Sequence, residues 1–427
     1  MEVGSEATVK ATGEWGKVTM TNGHAHKVLG KWYLSEELDK VELLNLTGMT
    51  ALVTGGAGMI GTHIARLLMK EHGCKVKILD KLHKTTHPTE TVPNWMPKDA
   101  EFIKGDVTSR EDMLKALQGV DLVFHQSIQG YEPAYPCCME RCLGDAAKGT
   151  CVLFDLIKEH KLPVKKVVTA SSMAVYGESS LMRKDGTEFV PDGYRTPERM
   201  SQGLYEVLDE KGEECPKAYP MKESRLIAPP AIYHIAKYAQ ELATLAAGKE
   251  LGISTTALRY SIVHGPFQSF HNPYTGVISI FCARIINGKP PVVFEDGSQT
   301  RDFCYAEDVA RANIQVARHP KSAWEAFNVG TGRGGDTMHN VASLLCRLLD
   351  KTGTIKPQYN KDFRTTDTRH IALDPTKLMS LGWKPQVSLE EGMRRHVEWM
   401  QESSGEVPED KFDAAYKDML AKGIVKR

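Results

Sequence analysis

The sequence predicts an α/β protein: a doubly wound parallel sheet of Rossmann type, followed by a smaller carboxyl-terminal substrate domain. Three observations predict it. Short β-branched runs alternate with helical patterns from residue 50 onward, a glycine-rich turn joins the first strand to the first helix, and an aspartate ends the second strand. Thr50-Ala-Leu-Val-Thr54 reads as a buried strand, and Gly55-Gly-Ala-Gly-Met-Ile-Gly61 follows it. Ile60, Ile64, Leu67 and Leu68 then recur at helical spacing. Further strands are expected at Lys75–Asp80, Glu101–Lys104, Asp121–His125, Lys166–Ala170 and Thr255–Val263. Helices are expected near Arg110–Leu117, Lys148–Glu159 and Ala231–Ala247.

Composition narrows the function classes. Lys plus Arg and Asp plus Glu both number 54, so no broad positive field for nucleic acid exists. No apolar run approaches the roughly 18–20 residues that cross a bilayer, so no membrane span is expected. The first ten residues, MEVGSEATVK, lack the basic and apolar regions of a secretory leader. With nine cysteines, an odd count, reduced thiols and a cytoplasmic location are expected. Cys137-Cys-Met-Glu-Arg-Cys142 has no nearby partner at zinc-ligand spacing, so no metal is expected.

The glycine turn carries the strongest chemical signal. Gly55, Gly58 and Gly61 are three apart, and Asp80 lies 19 residues beyond Gly61 at the end of the next strand. That is a dinucleotide fingerprint: glycines admit a pyrophosphate to the backbone, and the helix amino end offers free N–H groups. Met59 and Ile60 share that helix start. A carboxylate at Asp80 suits a ribose diol and repels a 2′-phosphate, which favours NAD over NADP. Farther on, Tyr233-His-Ile-Ala-Lys237 sets a phenol and an ammonium one turn apart on one helix face. An ammonium beside a phenol lowers its pKa toward usefulness as a base. Ser172, at the end of a strand, is placed to bond the same substrate oxygen. Lys148 onward aside, residues 178–230 lack a long periodic pattern and read as an inserted loop, expected to act as a lid. The expected domains are an extension at 1–45, an NAD-binding domain at 46–263 containing that insertion, a substrate domain at 264–400 with segments returning to the sheet, and a tail helix within 401–427.

Taken together, Thr54–Gly61, Ala170-Ser-Ser-Met-Ala-Val-Tyr-Gly177, Tyr233-x-x-x-Lys237, Leu258-Arg-Tyr260, Gly265-Pro266 and Gly297-Ser-Gln-Thr-Arg-Asp-Phe303 resemble the extended short-chain dehydrogenase/reductase family, which includes the NDP-sugar epimerases and dehydratases. Asn272-Pro-Tyr-Thr-Gly276 and Phe294-Glu-Asp-Gly297 look most like the dTDP-L-rhamnose 4-epimerase branch, close also to the UDP-glucose 4-epimerase type. Phe327-Asn-Val-Gly-Thr-Gly332 and Leu381–Gly392 match later family motifs. The resemblance implies epimerisation, at C4, of a nucleotide-activated hexose, with Ser172, Tyr233 and Lys237 catalytic. It implies Arg301 on the diphosphate, Arg364, Asp367 and Arg369 in a loop over the nucleotide, and Asp106 and Val107 beside the adenine. A homodimer is expected. A 4,6-dehydratase would need an acidic pair after the strand-end serine, whereas Met173-Ala174 follow Ser172.

The chain also departs from the family pattern. Ile128 replaces a small residue after the fourth strand, Ala146 an asparagine that supports the catalytic lysine, and Ile262 an asparagine at the diphosphate. Only Cys215 stands where relatives carry paired cysteines. These changes, with the terminal extensions, leave a second reading: a non-catalytic scaffold that keeps the fold and binds a protein partner through its ends.

Overall fold

The structure, a computed structural model, describes residues 6–9, 15–21, 25–28, 31–34, 38–127, 139–193, 195–273, 276–364, 367–403 and 408–427. The first of the departures from the family pattern, Ile128, and the cysteines Cys137 and Cys138 lie outside the described residues.

Five short strands come first: β1 (Glu6–Val9), β2 (Trp15–Thr21), β3 (Ala25–Val28), β4 (Lys31–Leu34) and β5 (Leu38–Lys40). They form an antiparallel sheet in the order β4-β3-β2-β1-β5. The segment is therefore not a patternless extension. Its signals are local: Val18 and Met20 alternate with Lys17, Thr19 and Thr21, and Asn22-Gly23 is a hairpin pair in sequence. Strands of three to seven residues leave little periodicity to find.

The central sheet follows. Its strands are β6 (Thr50–Thr54), β7 (Lys75–Asp80), β8 (Glu101–Lys104), β9 (Leu122–His125), β10 (Lys166–Ser172), and two later ones, β13 (Ser254–Tyr260) and β18 (Glu325–Val329). A hairpin between them in sequence, β11 (Leu181–Met182) with β12 (Glu188–Phe189), belongs to the insertion. All seven central strands are parallel, in the order β18-β13-β10-β9-β6-β7-β8. Chain order reverses between β6 and β9, so a crevice opens there at the carboxyl edge. The strands are apolar on both faces and alternate between two cores. Ala51, Val53, Leu122 and Phe124 pack with helices α1 (Met59–His72) and α8 (Ala306–Arg318). Leu52 and Val123 pack on the other side with α2 (Arg110–Leu117) and α4 (Gly149–Glu159), where Leu251 of α6 (Ile232–Leu251) joins them.

The substrate-side elements gather around a separate apolar cluster. Ile278 and Phe281 of α7 (Val277–Ile286), Val341 and Leu345 of α9 (Met338–Leu348), and Met393, Val397 and Met400 of α11 (Leu389–Ser403) form it. The strand pair β14 (Ile262–His264) and β17 (Phe303–Tyr305) splits off where a single strand to Val263 was expected. Ser261 breaks the run: its N–H bonds Val329 O at 3.0 Å, whereas Ile262 N–H turns to Asp302 O at 3.0 Å.

Two expectations about the chain's added parts change. The insertion holds the β11–β12 hairpin and helix α5 (Pro197–Ser201), and it is fastened by buried pairs. Arg195 grips both oxygens of Glu295 at 2.8 Å, and Arg225 bonds the carbonyls of Tyr176 and Glu178. The tail helix α12 (Phe412–Ala421) turns its apolar stripe, Phe412, Ala415 and Met419, inward and buries it, so that stripe is not open to a protein partner. Its last residues pair with the substrate domain, Phe363 and Lys426 exchanging N–H···O bonds of 3.0 and 2.9 Å.

At the amino edge of the sheet, Lys166 opens β10 fully inside the protein. Its ammonium meets only hydroxyls: Ser254 at 3.0 Å, and Thr256 and Ser322 at 2.8 Å. With only hydroxyls as partners among the described residues, burial lowers its pKa from 10.5 to about 7. Between those values the unfolded chain binds a proton that the folded chain does not, so stability contributed by this site falls as pH falls through that window. Lys166→Met should flatten the change in unfolding free energy between pH 10 and 7 relative to the parent. Parallel urea-denaturation curves across that range would contradict this.

Candidate active site

One cleft of about 690 Å³ runs over the carboxyl edge of the sheet, at the crevice between β6 and β9. Gly55, Gly58, Met59, Ile60 and Gly61 line it from one side, Ser172, Tyr233 and Lys237 from another, and Arg301 and Arg364 from the substrate domain.

The glycine loop is built so tightly that side chains would break it. Gly55 sits at φ +66°, in left-handed backbone. A Cβ on Gly61 would lie 2.5 Å from the Gly55 carbonyl oxygen, and one on Gly56 2.6 Å from the Ile78 side chain. Helix α1 therefore starts against the loop with Gly58 as its N-cap, no side-chain cap and no acid in its first turn. Its free N–H groups and positive dipole end are left for an anion. Asp80 is fixed beside this turn, accepting from Ala57 N–H at 3.1 Å and Leu82 N–H at 2.9 Å. Asp106 and Val107 lie just past β8. Asp106 accepts from Thr108 N–H at 2.8 Å, while Val107 is buried in the α2/α4 core. These residues fit a dinucleotide: the loop and α1 for its pyrophosphate, Asp80 for a ribose diol.

At the reactive end, α6 lies across β10. Lys237 Nζ donates to Ala170 O at 2.7 Å and to Gln240 Oε1 at 3.1 Å. Ala146, where an asparagine was expected, is fully buried against Ala236, Cys142 and the Tyr233 ring. Gln240 thus supplies an oxygen to the lysine from one turn along α6. Nothing but its position three residues after Lys237 signals this in the sequence. Its amide nitrogen has no hydrogen-bond partner among the described residues. Burial, with no carboxylate nearby, brings the Lys237 pKa down to about 7.

The Tyr233 phenol is within reach of the Ser172 hydroxyl, whose oxygen also accepts from Ala174 N–H at 3.1 Å. Burial pushes the phenol up to about 12, and the Ser172 hydrogen bond only partly offsets it. The expected lowering by Lys237 is not present in the protein alone, because Nζ is turned to the Ala170 carbonyl and Gln240. His125 is a packed core histidine. It bridges Thr54 at 2.8 Å and Thr150 at 3.2 Å, and burial drops its pKa to about 3.

The three arginines separate into two kinds. Arg301 gives Nη1 to the carbonyls of Thr300 and Arg369, and Arg364 gives Nη2 to the Met419 sulfur at 3.2 Å. Neither has a carboxylate partner among the described residues, and the buried Nε of Arg364 has no partner at all. Both guanidinium groups line the cleft with carbonyls or sulfur as hydrogen-bond partners, and Asp367 and Glu178 act on Arg301 through space. Arg369 corrects the expectation. It is fully buried, and all five of its N–H donors are taken by Glu206, Glu295 and Asp296. It holds the loop together and has no donor left for a ligand. Asp367 lines the cleft and accepts from Arg195 through its carbonyl at 2.8 Å. Ile262 also lines it, an apolar group where an asparagine was expected.

Comparison with known proteins agrees with this arrangement. The sequence matches the NAD dependent epimerase/dehydratase family over residues 51–199 and 201–330. It is 31% identical over 357 residues to a dTDP-L-rhamnose 4-epimerase of Burkholderia thailandensis, covering 83% of this chain and 95% of that one. Among solved structures, UDP-glucose 4-epimerase of Thermotoga maritima with UDP-glucose superposes with a TM-score of 0.64 at 30% identity, covering 83% of this chain and 99% of that one. UDP-glucose 4-epimerase of Thermus thermophilus, in complex with NAD, gives 0.63 at 27% identity, covering 82% and 98%. With the family matched over most of the central sheet and the site, the chain belongs to the NAD dependent epimerase/dehydratase family.

Proposed function

We propose that this protein is an NAD-dependent 4-epimerase acting on a nucleoside-diphosphate hexose. One observation carries the reading: a single cleft joins Ser172, Tyr233 and Lys237 to two arginines, Arg301 and Arg364, whose hydrogen bonds go to carbonyls and a sulfur rather than to a carboxylate. The relatives named for this activity, one bound to UDP-glucose, support it. Asp367 is the sole carboxylic acid among the described residues lining the cleft, which leaves no acidic pair for dehydration. Denaturing the purified protein and assaying the supernatant for NAD, then offering a panel of UDP- and dTDP-hexoses, tests the assignment.

The residues divide the work. NAD, when bound, supplies the acceptor and donor of hydride at the sugar carbon. Arg301 and Arg364 hold the diphosphate by charged hydrogen bonds, which leaves the hexose free to turn while its nucleotide stays put. Tyr233 takes the proton of the C4 hydroxyl and returns it to the 4-keto oxygen, with Ser172 bonding the same oxygen. Lys237, as an ammonium, stabilises the phenolate against the burial that otherwise keeps the phenol protonated. Glu178, buried between Arg195 and Arg301 and pushed up to about 7 by that burial, only partly offsets the Arg301 charge. The chain acts as a homodimer through α6, whose exposed Ile235 and Leu242 lie two turns apart on one face. It works in the cytoplasm, where its cysteines stay reduced.

Tyr233→Phe should lower epimerisation by about 10²–10⁴-fold while leaving NAD bound; an unchanged rate would remove Tyr233 from the chemistry. In Gln240→Leu the ammonium loses an acceptor, so the alkaline limb of kcat/KM should begin at lower pH, and Gln240→Glu should move it back up. Profiles that coincide would show that Gln240 does not hold the lysine. Arg301→Ala should weaken UDP or dTDP binding by about 1.5–3 kcal/mol, the worth of a charged hydrogen bond. Arg369→Ala should instead lower folding stability by about 3–5 kcal/mol, because it strands buried carboxylates. Calorimetric titration beside denaturant unfolding checks both, and the reverse pattern would exchange their roles.

A further inference from the structure

The tail helix α12 completes the far end of the cleft. Phe412, its first residue, lines the cleft together with Val277, Phe281, Val293 and Phe294. Around it runs a chain of cations and rings: Arg284 lies 4.7 Å over Phe412, Phe412 stacks on Tyr416 at 5.6 Å and 11°, Tyr416 meets Phe294 at 6.1 Å, and Arg364 lies 5.5 Å over Phe294. Met419, one turn on, is the sulfur that receives Arg364 Nη2. The helix is anchored at several points. Arg284 pairs with Asp410 at 3.3 Å and Asp413 at 2.7 Å, Lys289 pairs with the same two acids, and Tyr416 bonds Asp362.

Resting on the sugar-nucleotide reading above, we infer that α12 is part of the substrate site: Phe412 forms the apolar wall on which the nucleoside base rests, and Met419 fixes Arg364 for the diphosphate. A flat apolar slot edged by an arginine with an unpaired Nε suits a base joined to a phosphate, since every base offers a stackable face and the phosphate needs the donor. Asp410, just before α12, and Asp413, in its first turn, are paired with Arg284 and Lys289, which offsets their charge beside an anionic ligand.

The test titrates UDP into the parent, into Phe412→Leu and into a chain ending at Pro408, with bound NAD content measured on each. The parent should bind UDP. Phe412→Leu, which keeps apolar bulk, should bind it roughly 2- to 10-fold more weakly, the scale of losing one edge-on aromatic contact from a ring whose faces are taken by Arg284 and Tyr416, with NAD content unchanged. The truncated chain should lose UDP binding and keep NAD. Equal UDP affinity in parent and Phe412→Leu would overturn the wall while leaving the epimerase reading intact. Loss of NAD together with UDP would reduce α12 to a structural brace, and a parent that binds neither UDP nor dTDP would overturn both readings.

Discussion

The hydrogen bond from Lys237 to the Ala170 carbonyl ties helix α6 to the end of strand β10, and the reactive end of the cleft depends on that tie. Ser172 and Tyr233 are 61 residues apart in sequence, yet the proposed reaction brings both hydroxyls to one substrate oxygen. The strand fixes Ser172 two residues beyond Ala170, and the helix fixes Tyr233 one turn before Lys237. With the Ser171–Glu241 and Thr169–Thr244 hydrogen bonds, that buried ammonium holds together two groups that the insertion separates. Burial also draws its pKa down to about 7, so the group that orients the site is poised to change charge near neutrality. The phenol is pushed the other way. Without a positive partner the pair holds its proton on the tyrosine, and base strength appears only when positive charge is brought beside it.

Charge is distributed with the same economy elsewhere in the cleft. Arg195 and Arg369 are buried in carboxylates and spend their donors on structure, clamping the insertion and the 367–370 segment to the Glu295 loop. Arg301 and Arg364 stand beside them with carbonyls or sulfur for partners. The structural pairs occupy Glu206, Glu295 and Asp296 at hydrogen-bond distance, so Asp367 and Glu178 offset the Arg301 charge only through space. Burial lowers the Arg301 pKa from its ordinary value, and Asp367 and Glu295 act against that lowering.

Much of this was legible in the residues. The Thr50–Thr54 strand, the glycine turn, the Asp80 position and the Tyr233–Lys237 spacing are local patterns, and local patterns survive in sequence because each follows from one element's geometry. Arg369 was misplaced because an arginine that binds phosphate and one that binds three carboxylates look alike until their neighbours are known. Gln240 was missed for the converse reason: it substitutes for a residue at Ala146, on another element, and only the packing of α6 against the helical turn Gly144–Lys148 joins them. The tail reads as a detachable helix in sequence, since nothing in Phe412–Leu420 names the surface that buries it. The amino-terminal sheet escaped notice because its strands are too short for periodicity to accumulate, and its hairpin pairs are the sole cue.

The central claim is that this cleft oxidises and re-reduces one sugar carbon without releasing the hydrogen. A UDP- or dTDP-hexose carrying deuterium at C4, incubated with the purified protein and followed by proton NMR, tests it most directly. The account predicts a C4-inverted product that retains deuterium at C4 with no uptake of solvent hydrogen there. Product that has exchanged its C4 label with water, or no epimer from any hexose in the panel while NAD remains bound, would contradict it.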